Sequence, residues 1–273
     1  MDLNQHYGEK SVYRKLDQMP GEPGLRRRKK MVLAIKVLFF SLLAAGCLGL
    51  CLGVGVYRGI VADTPDVSEI NIGPGKYASF VYDAEGNQIQ QINEAQSNRI
   101  HVSIEDIPED MQHAIVAIED SRFYEHHGID PRGILRAAAV TVTSGFQETE
   151  GASTITQQLI KNNVFTDWTD ENFFQSVRRK IQEQQLAVEL EEYLTEQGLD
   201  AKSVILEEYL NTVNFGSGAY GIQTAARTYF GKDSRDLTLS ECAVLAAIPQ
   251  NPTKWDPRQN PEENAKRRET VLR

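Results

Sequence analysis

The sequence predicts a mainly α-helical domain carrying a small β-hairpin, preceded by a single transmembrane helix. Three observations predict it. Residues 31–57, "MVLAIKVLFFSLLAAGCLGLCLGVGVY", form an apolar run with no charge between Lys36 and Arg58. From Ile107 nearly to the end, apolar residues recur at helical spacing. Between these stretches, "YASFVYDAEGNQIQQI" (77–92) offers two strand-like runs about a Gly-containing turn.

Residues 1–30 are polar, with Pro20, Gly21, Pro23 and Gly24 close together, and are expected to be a disordered tail. The run at 31–57 is long enough to span a bilayer as a helix. "LRRRKK" stands before it and an acidic flank after it, which places the N-terminus in the cytoplasm and the rest outside. A cleaved signal peptide would have a shorter apolar region and a small-x-small cleavage site, and no convincing one precedes "ADTPDV". Cys47 and Cys51 lie inside the span, which leaves Cys242 alone beyond it and no disulfide framework there. Residues 58–75 read as a linker and 76–273 as the folded domain.

Charge is unevenly spread. The chain carries −9 overall, yet residues 1–30 hold eight Lys/Arg against four Asp/Glu, so the remainder is more acidic still. An acidic exterior argues against nucleic acid as a partner, and an anionic ligand would need a local basic cluster.

Pro108 suits a first helical position, with Asp106 or Ile107 as its cap. Met111, Ala114, Ile115 and Ile118 then share one face, and Glu119 continues it while Asp120 turns off it. A carboxylate at the rim of a core is desolvated, which raises its pKa and makes it a stronger base once ionised. Alone, such a glutamate is more often a solvated last-turn residue. His126 and His127 are adjacent and read as hydrogen-bonding residues, with Gly128 ending the element.

In "EGASTITQQLIKNNVF" (150–165), Ser153 or Thr154 caps a helix, and Thr154 with Gln157 fits a capping box. Its exposed amides would suit an anion, with Gln157, Gln158 and Lys161 as further donors. In "SVRRKIQEQQLAVELEEYL" (176–194), Arg179 and Lys180 stand four and three residues before Glu183, so all three meet on one surface. Those cations favour the ionised form of Glu183, the reverse of the desolvation expected at Glu119. The bland alternative is an exposed ion pair of little energetic weight. "KSVILEEYLNTVNFGSGAYGIQTAARTYFGK" (202–232) reads as helix, Gly-rich turn, helix, and "NAKRRETVL" (264–272) places Arg267 and Arg268 on a last helix.

Taken together, "EDSRFYEHHG", "GASTITQQ", "RKIQE", "KSVILEEYLN" and "RRETVL" resemble the five ordered motifs of the peptidoglycan glycosyltransferase family. That family includes the N-terminal domains of class A penicillin-binding proteins and the monofunctional transglycosylases. The resemblance covers residues 76–273. It implies a lysozyme-like fold of two lobes with a membrane-dipping jaw, and the polymerisation of lipid II into β-1,4 glycan strands with release of polyprenyl pyrophosphate. It implies catalytic roles for Glu119, as base, and Glu183. Substrate binding would fall to Ser153, Thr154, Gln157, Gln158, Lys161, Arg179 and Lys180. No cofactor is required on this reading, with room for a divalent metal, Mg or Mn, at the pyrophosphate. Implied partners are lipid II and the growing strand, the bilayer of the plasma membrane, and other cell-wall synthesis and division proteins.

One position departs from the pattern. The family commonly has a basic residue eight positions before the second glutamate, and here that residue is Gln175. The last helical pattern breaks off at Arg273 without a cap, which reads as the front of a longer, bifunctional protein, with a monofunctional enzyme left open. A lysozyme-like hydrolase and a non-catalytic scaffold are the competing functions. The basic cluster weighs against the first, and the two intact glutamates against the second.

Overall fold

The computed structural model describes residues 23–73, 79–86, 88–92, 98–145, 151–165 and 171–273. It divides into two compact units, Met1–Gly59 and Ile60–Arg273. Helix α1 runs Pro23–Ala62. It therefore starts earlier than the expected span and takes in residues 23–30 of the expected tail, whose Leu-Arg-Arg-Arg-Lys-Lys run is made of good helix formers. Tail residues 1–22 lie outside the described residues. Between Lys30 and Ala62 the helix is mostly apolar, interrupted by Lys36 and Arg58, with mean hydropathy 2.4 over its best window, and is long enough to cross a membrane. Large side chains from Met31 to Val56 are exposed along it. Such a surface is costly in water.

In the second unit, residues 63–73 do more than link. Asp66 caps a turn by accepting from Ser68, and Val67, Ile70 and Ile72 pack on the core. Strands β1 (Ser79–Tyr82) and β2 (Gln88–Ile92) pair antiparallel with a register irregularity at Val81/Tyr82. The expected hairpin also took in residues 77, 78 and 87, which lie outside the described residues.

The rest of the unit is mainly helical: α2 Glu109–Glu119, α3 Pro131–Thr143, α4 Ile155–Asn163, α5 Phe173–Glu196, α6 Ala201–Thr212, α7 Ile222–Phe230, α8 Leu239–Ala246 and α9 Pro261–Val271. Pro108 is the cap of α2 rather than its first residue, in place of the expected Asp106 or Ile107. The core forms where α4 packs between α5 and α6, and where α2 packs on α8 and α9. Met111, Ile115, Phe123, Ile155, Leu159, Leu186, Ile205 and Tyr209 are fully buried in it.

Candidate active site

Met111, Ala114 and Ile115 bury the inner face of α2, and this carries Glu119, the last residue of the helix, to the edge of the core. Asp120 follows as the C-cap. It does not turn out to solvent: it is buried, accepts from the Ile155 amide at 3.0 Å and lies 3.0 Å from His126 Nε2. The N-terminus of α4, expected to suit an external anion, thus already holds the carboxylate of Asp120. This contact ties the end of α2 to the start of α4, which fixes where Glu119 stands.

Gly128 does not end a helix. It adopts φ +75° in the turn after His126, where a Cβ would collide with the backbone of Ala187 on α5. Thr154 Oγ1 donates to the Gly128 carbonyl at 2.6 Å and accepts from the Gln157 amide. Of the residues expected to bind substrate, Thr154 is therefore turned inward as the cap of α4, in a complete capping box with Gln157.

The other eight expected residues line one cavity of about 460 Å³: Glu119, Ser153, Gln157, Gln158, Lys161, Arg179, Lys180 and Glu183, joined by Gln250 and Arg267. A hollow of about 180 Å³, lined in part by Thr154, adjoins it and shares Ile118, Glu119, Gly151 and Ser153, so the carboxylate borders both spaces.

The surroundings of the two glutamates differ in kind. The Glu119 side chain is 8 % exposed. Its Oε2 accepts from Gln158 Nε2 at 3.1 Å, while its buried Oε1 has no hydrogen-bond partner among the described residues. Tyr209 orients that donor by giving its own proton to Gln158 Oε1 at 3.1 Å, and burial raises the Tyr209 pKa well above normal, keeping it a donor. Arg267 Nη2 stands 3.8 Å from Glu119 Oε1. Burial pushes the Glu119 pKa up, and Gln158, Arg267 and Lys161 only partly oppose that.

Glu183 is buried to 1 % but saturated. Arg179 Nη1 donates to one oxygen, and Lys180 Nζ lies 3.1 Å from the other. Lys180 also donates to Ser153 Oγ at 2.7 Å, which joins the start of α4 to α5. Burial lowers the pKa of Lys161, against the pull of Glu183.

Arg267 was placed by sequence on the last helix without a role. Its Nε donates to the Ala247 carbonyl at 3.0 Å and its guanidinium lies over the Trp255 ring at 5.4 Å, so it reaches Glu119 already oriented. Gln250 had no signal at all. Gln175 is the third residue of α5, and its side chain folds back to the Asn172 amide in a capping box. Arg178 pairs with Asp63 at 2.8 Å.

The chain is similar to known proteins over most of its length. A family model described as Transglycosylase matches residues 85–273. Penicillin-binding protein 1A of Escherichia coli is 42 % identical over 242 residues, which cover 86 % of this chain and 26 % of that protein. Penicillin-binding protein 1A/1B of Bacillus subtilis is 39 % identical, covering 90 % and 25 %. Penicillin-binding protein 1F of the same organism is 43 % identical, covering 71 % and 25 %. The chain thus spans about a quarter of the length of these relatives. With the five motifs in order and the family model matching most of the sequence, the chain belongs to the transglycosylase family, the glycosyltransferase domain of class A penicillin-binding proteins.

Proposed function

We propose that this domain polymerises lipid II, with Glu119 as general base. One observation carries the reading: a desolvated carboxylate with one oxygen lacking a hydrogen-bond partner faces a wall built from Lys161, Arg179 and Lys180. Glu119 removes the proton from the 4-hydroxyl of one sugar as that oxygen attacks the anomeric carbon of another. The bond to the lipid pyrophosphate breaks, and a β-1,4 bond forms with inversion. Negative charge grows on the departing pyrophosphate, so fixed cations stabilise the transition state more than the ground state. The base borders two hollows, as joining two sugars requires.

Glu183 holds Arg179 and Lys180 in place, and is a positioning residue on this reading. The wall facing the pyrophosphate is cationic, and Glu183 is already shared between two cations. The residues present would therefore supply counter-charge themselves. Helix α1 would anchor the domain in the membrane, with the basic run before it on the cytoplasmic side.

A hydrolase is the second reading, because one carboxylate at a sugar cleft serves either chemistry. Cutting an uncharged glycosidic bond needs no cationic wall, which favours synthesis. Incubation with labelled lipid II, followed by separation of polymer, monomer and hydrolysate, decides between them. Polymer that appears with the wild type and not with Glu119→Gln supports the proposal, whereas hydrolysate alone overturns it.

A further inference from the structure

Arg179 does not meet the cavity as an uncommitted cation. Its Nε donates to both carboxylate oxygens of Glu171, at 3.0 and 2.8 Å, while Nη1 donates to Glu183. The side chains of Arg179 and Glu171 are 15 % and 16 % exposed, so this pair is only partly screened by water. Glu171 stands just before Asn172, the cap of α5, and accepts from Ser176 Oγ at 3.2 Å. It is thus fixed from the helix end as well as by the guanidinium. Two other polar groups of α5 are committed elsewhere, Gln175 to the capping box and Arg178 to Asp63.

We propose that Glu171 is a positioning residue that sets the affinity of the site for pyrophosphate. It holds the Arg179 guanidinium in register for the cavity and at the same time offsets its charge. An incoming pyrophosphate must then share Arg179 with a resident carboxylate. The grip on substrate and on the departing product is therefore looser than the cations alone would give. Loose product binding favours repeated turnover, because a leaving group held too tightly would slow its own release. This rests on the reading of the cavity as a lipid-pyrophosphate site.

The test compares the full-length protein with Glu171→Gln and Glu171→Asp, after circular dichroism has confirmed that all three are folded. Two measurements are made at low and high salt: binding of inorganic pyrophosphate by calorimetry, and the kcat and KM of lipid II polymerisation. Glu171→Gln keeps an acceptor for Arg179 Nε but removes the charge. It should tighten pyrophosphate binding and lower KM by about two- to fivefold, the effect of one partly screened charge pair, with the gain shrinking at high salt. The kcat should stay level or fall as product release slows. Glu171→Asp keeps the charge and should therefore not tighten pyrophosphate binding. Unchanged or weaker pyrophosphate binding in Glu171→Gln overturns the inference, as does a higher KM. If the wild type binds pyrophosphate but forms no polymer, the reaction assignment fails while the binding comparison still decides the role of Glu171.

Discussion

Two glutamates border one cavity, and each is buried by a different means. Glu119 sits at the end of α2 with one donor, Gln158, and an oxygen that has no hydrogen-bond partner. Glu183 sits in the middle of α5 with a cation on each oxygen. Burial without enough partners raises a carboxylate's proton affinity, whereas burial among cations fixes the charge and the groups around it. The first arrangement suits a group that must accept a proton during turnover. The second suits a group that must hold others still.

The comparison breaks most sharply at Glu119. Glu119→Gln keeps the shape and an acceptor for Gln158 but removes the base. Polymerisation should fall by roughly a hundred- to ten-thousand-fold, with lipid II binding largely retained. A variant that still polymerises at a tenth of the wild-type rate would mean the base lies elsewhere.

The matching change at Glu183 should act through structure as much as rate. Glu183→Gln leaves Lys180, 40 % exposed, and one edge of Arg179, 15 % exposed, beside a buried neutral amide. Both cations keep some water and Arg179 keeps Glu171, so the change costs less than the roughly 3 kcal/mol of a fully buried pair. Denaturant unfolding should show that loss, and turnover should fall with it while the pH profile keeps its shape. A stable Glu183→Gln with a displaced pH profile would make Glu183 a proton-transfer group.

A smaller effect sharpens the same contrast. Glu119 must be ionised to act as a base, so activity is lost as pH falls through its raised pKa. The groups facing it are Gln158, Arg267, Lys161 and Asp120. Arg267 and Lys161 oppose the rise, so Arg267→Gln should lift the Glu119 pKa further and move the acid limb of the rate profile to higher pH. Arg267→Lys should restore part of the shift. An unmoved limb would mean that the 3.8 Å approach of Arg267 to Glu119 has no electrostatic weight.

These contrasts were only partly legible in the sequence. Helical spacing alone put Glu119 on the apolar edge of α2, gave α4 its capping box and brought Arg179, Lys180 and Glu183 together, because each rests on residues within one or two turns. What failed was long-range. Asp120 lies off the apolar stripe of α2, and nothing near it in sequence tells that the α4 N-terminus arrives from elsewhere and buries it. Arg267 reaches Glu119 only because α9 packs against α2. Gln175 looked like a vacancy in the basic wall because its place was counted from Glu183. Its actual task is set from the other direction, by Asn172 at the start of the helix.

The smallest expected effect is on stability, and it has the opposite sign to the effect on rate. A carboxylate whose folded pKa lies above its unfolded value contributes stability that is fully present below the unfolded value. That contribution is lost as pH rises through the folded one. Glu119 is such a group, because burial is the largest influence on it. Once ionised, Glu119 is therefore a carboxylate that the fold would rather hold protonated. Glu119→Gln removes that cost and keeps the Gln158 contact, so the inactive variant should melt about 1–4 °C higher at neutral pH, the usual exchange between activity and stability at a functional site. The gain should fade in mildly acidic buffer and vanish below the ordinary carboxylate range, where the wild-type Glu119 is itself neutral. At Glu183 the same change should lower the melting temperature, because there the charge has its partners. Melting curves of both variants across pH would set the two carboxylates apart without any substrate. If Glu119→Gln melted at or below the wild type at neutral pH, Glu119 would be satisfied where it stands, and the distinction between the two would fall.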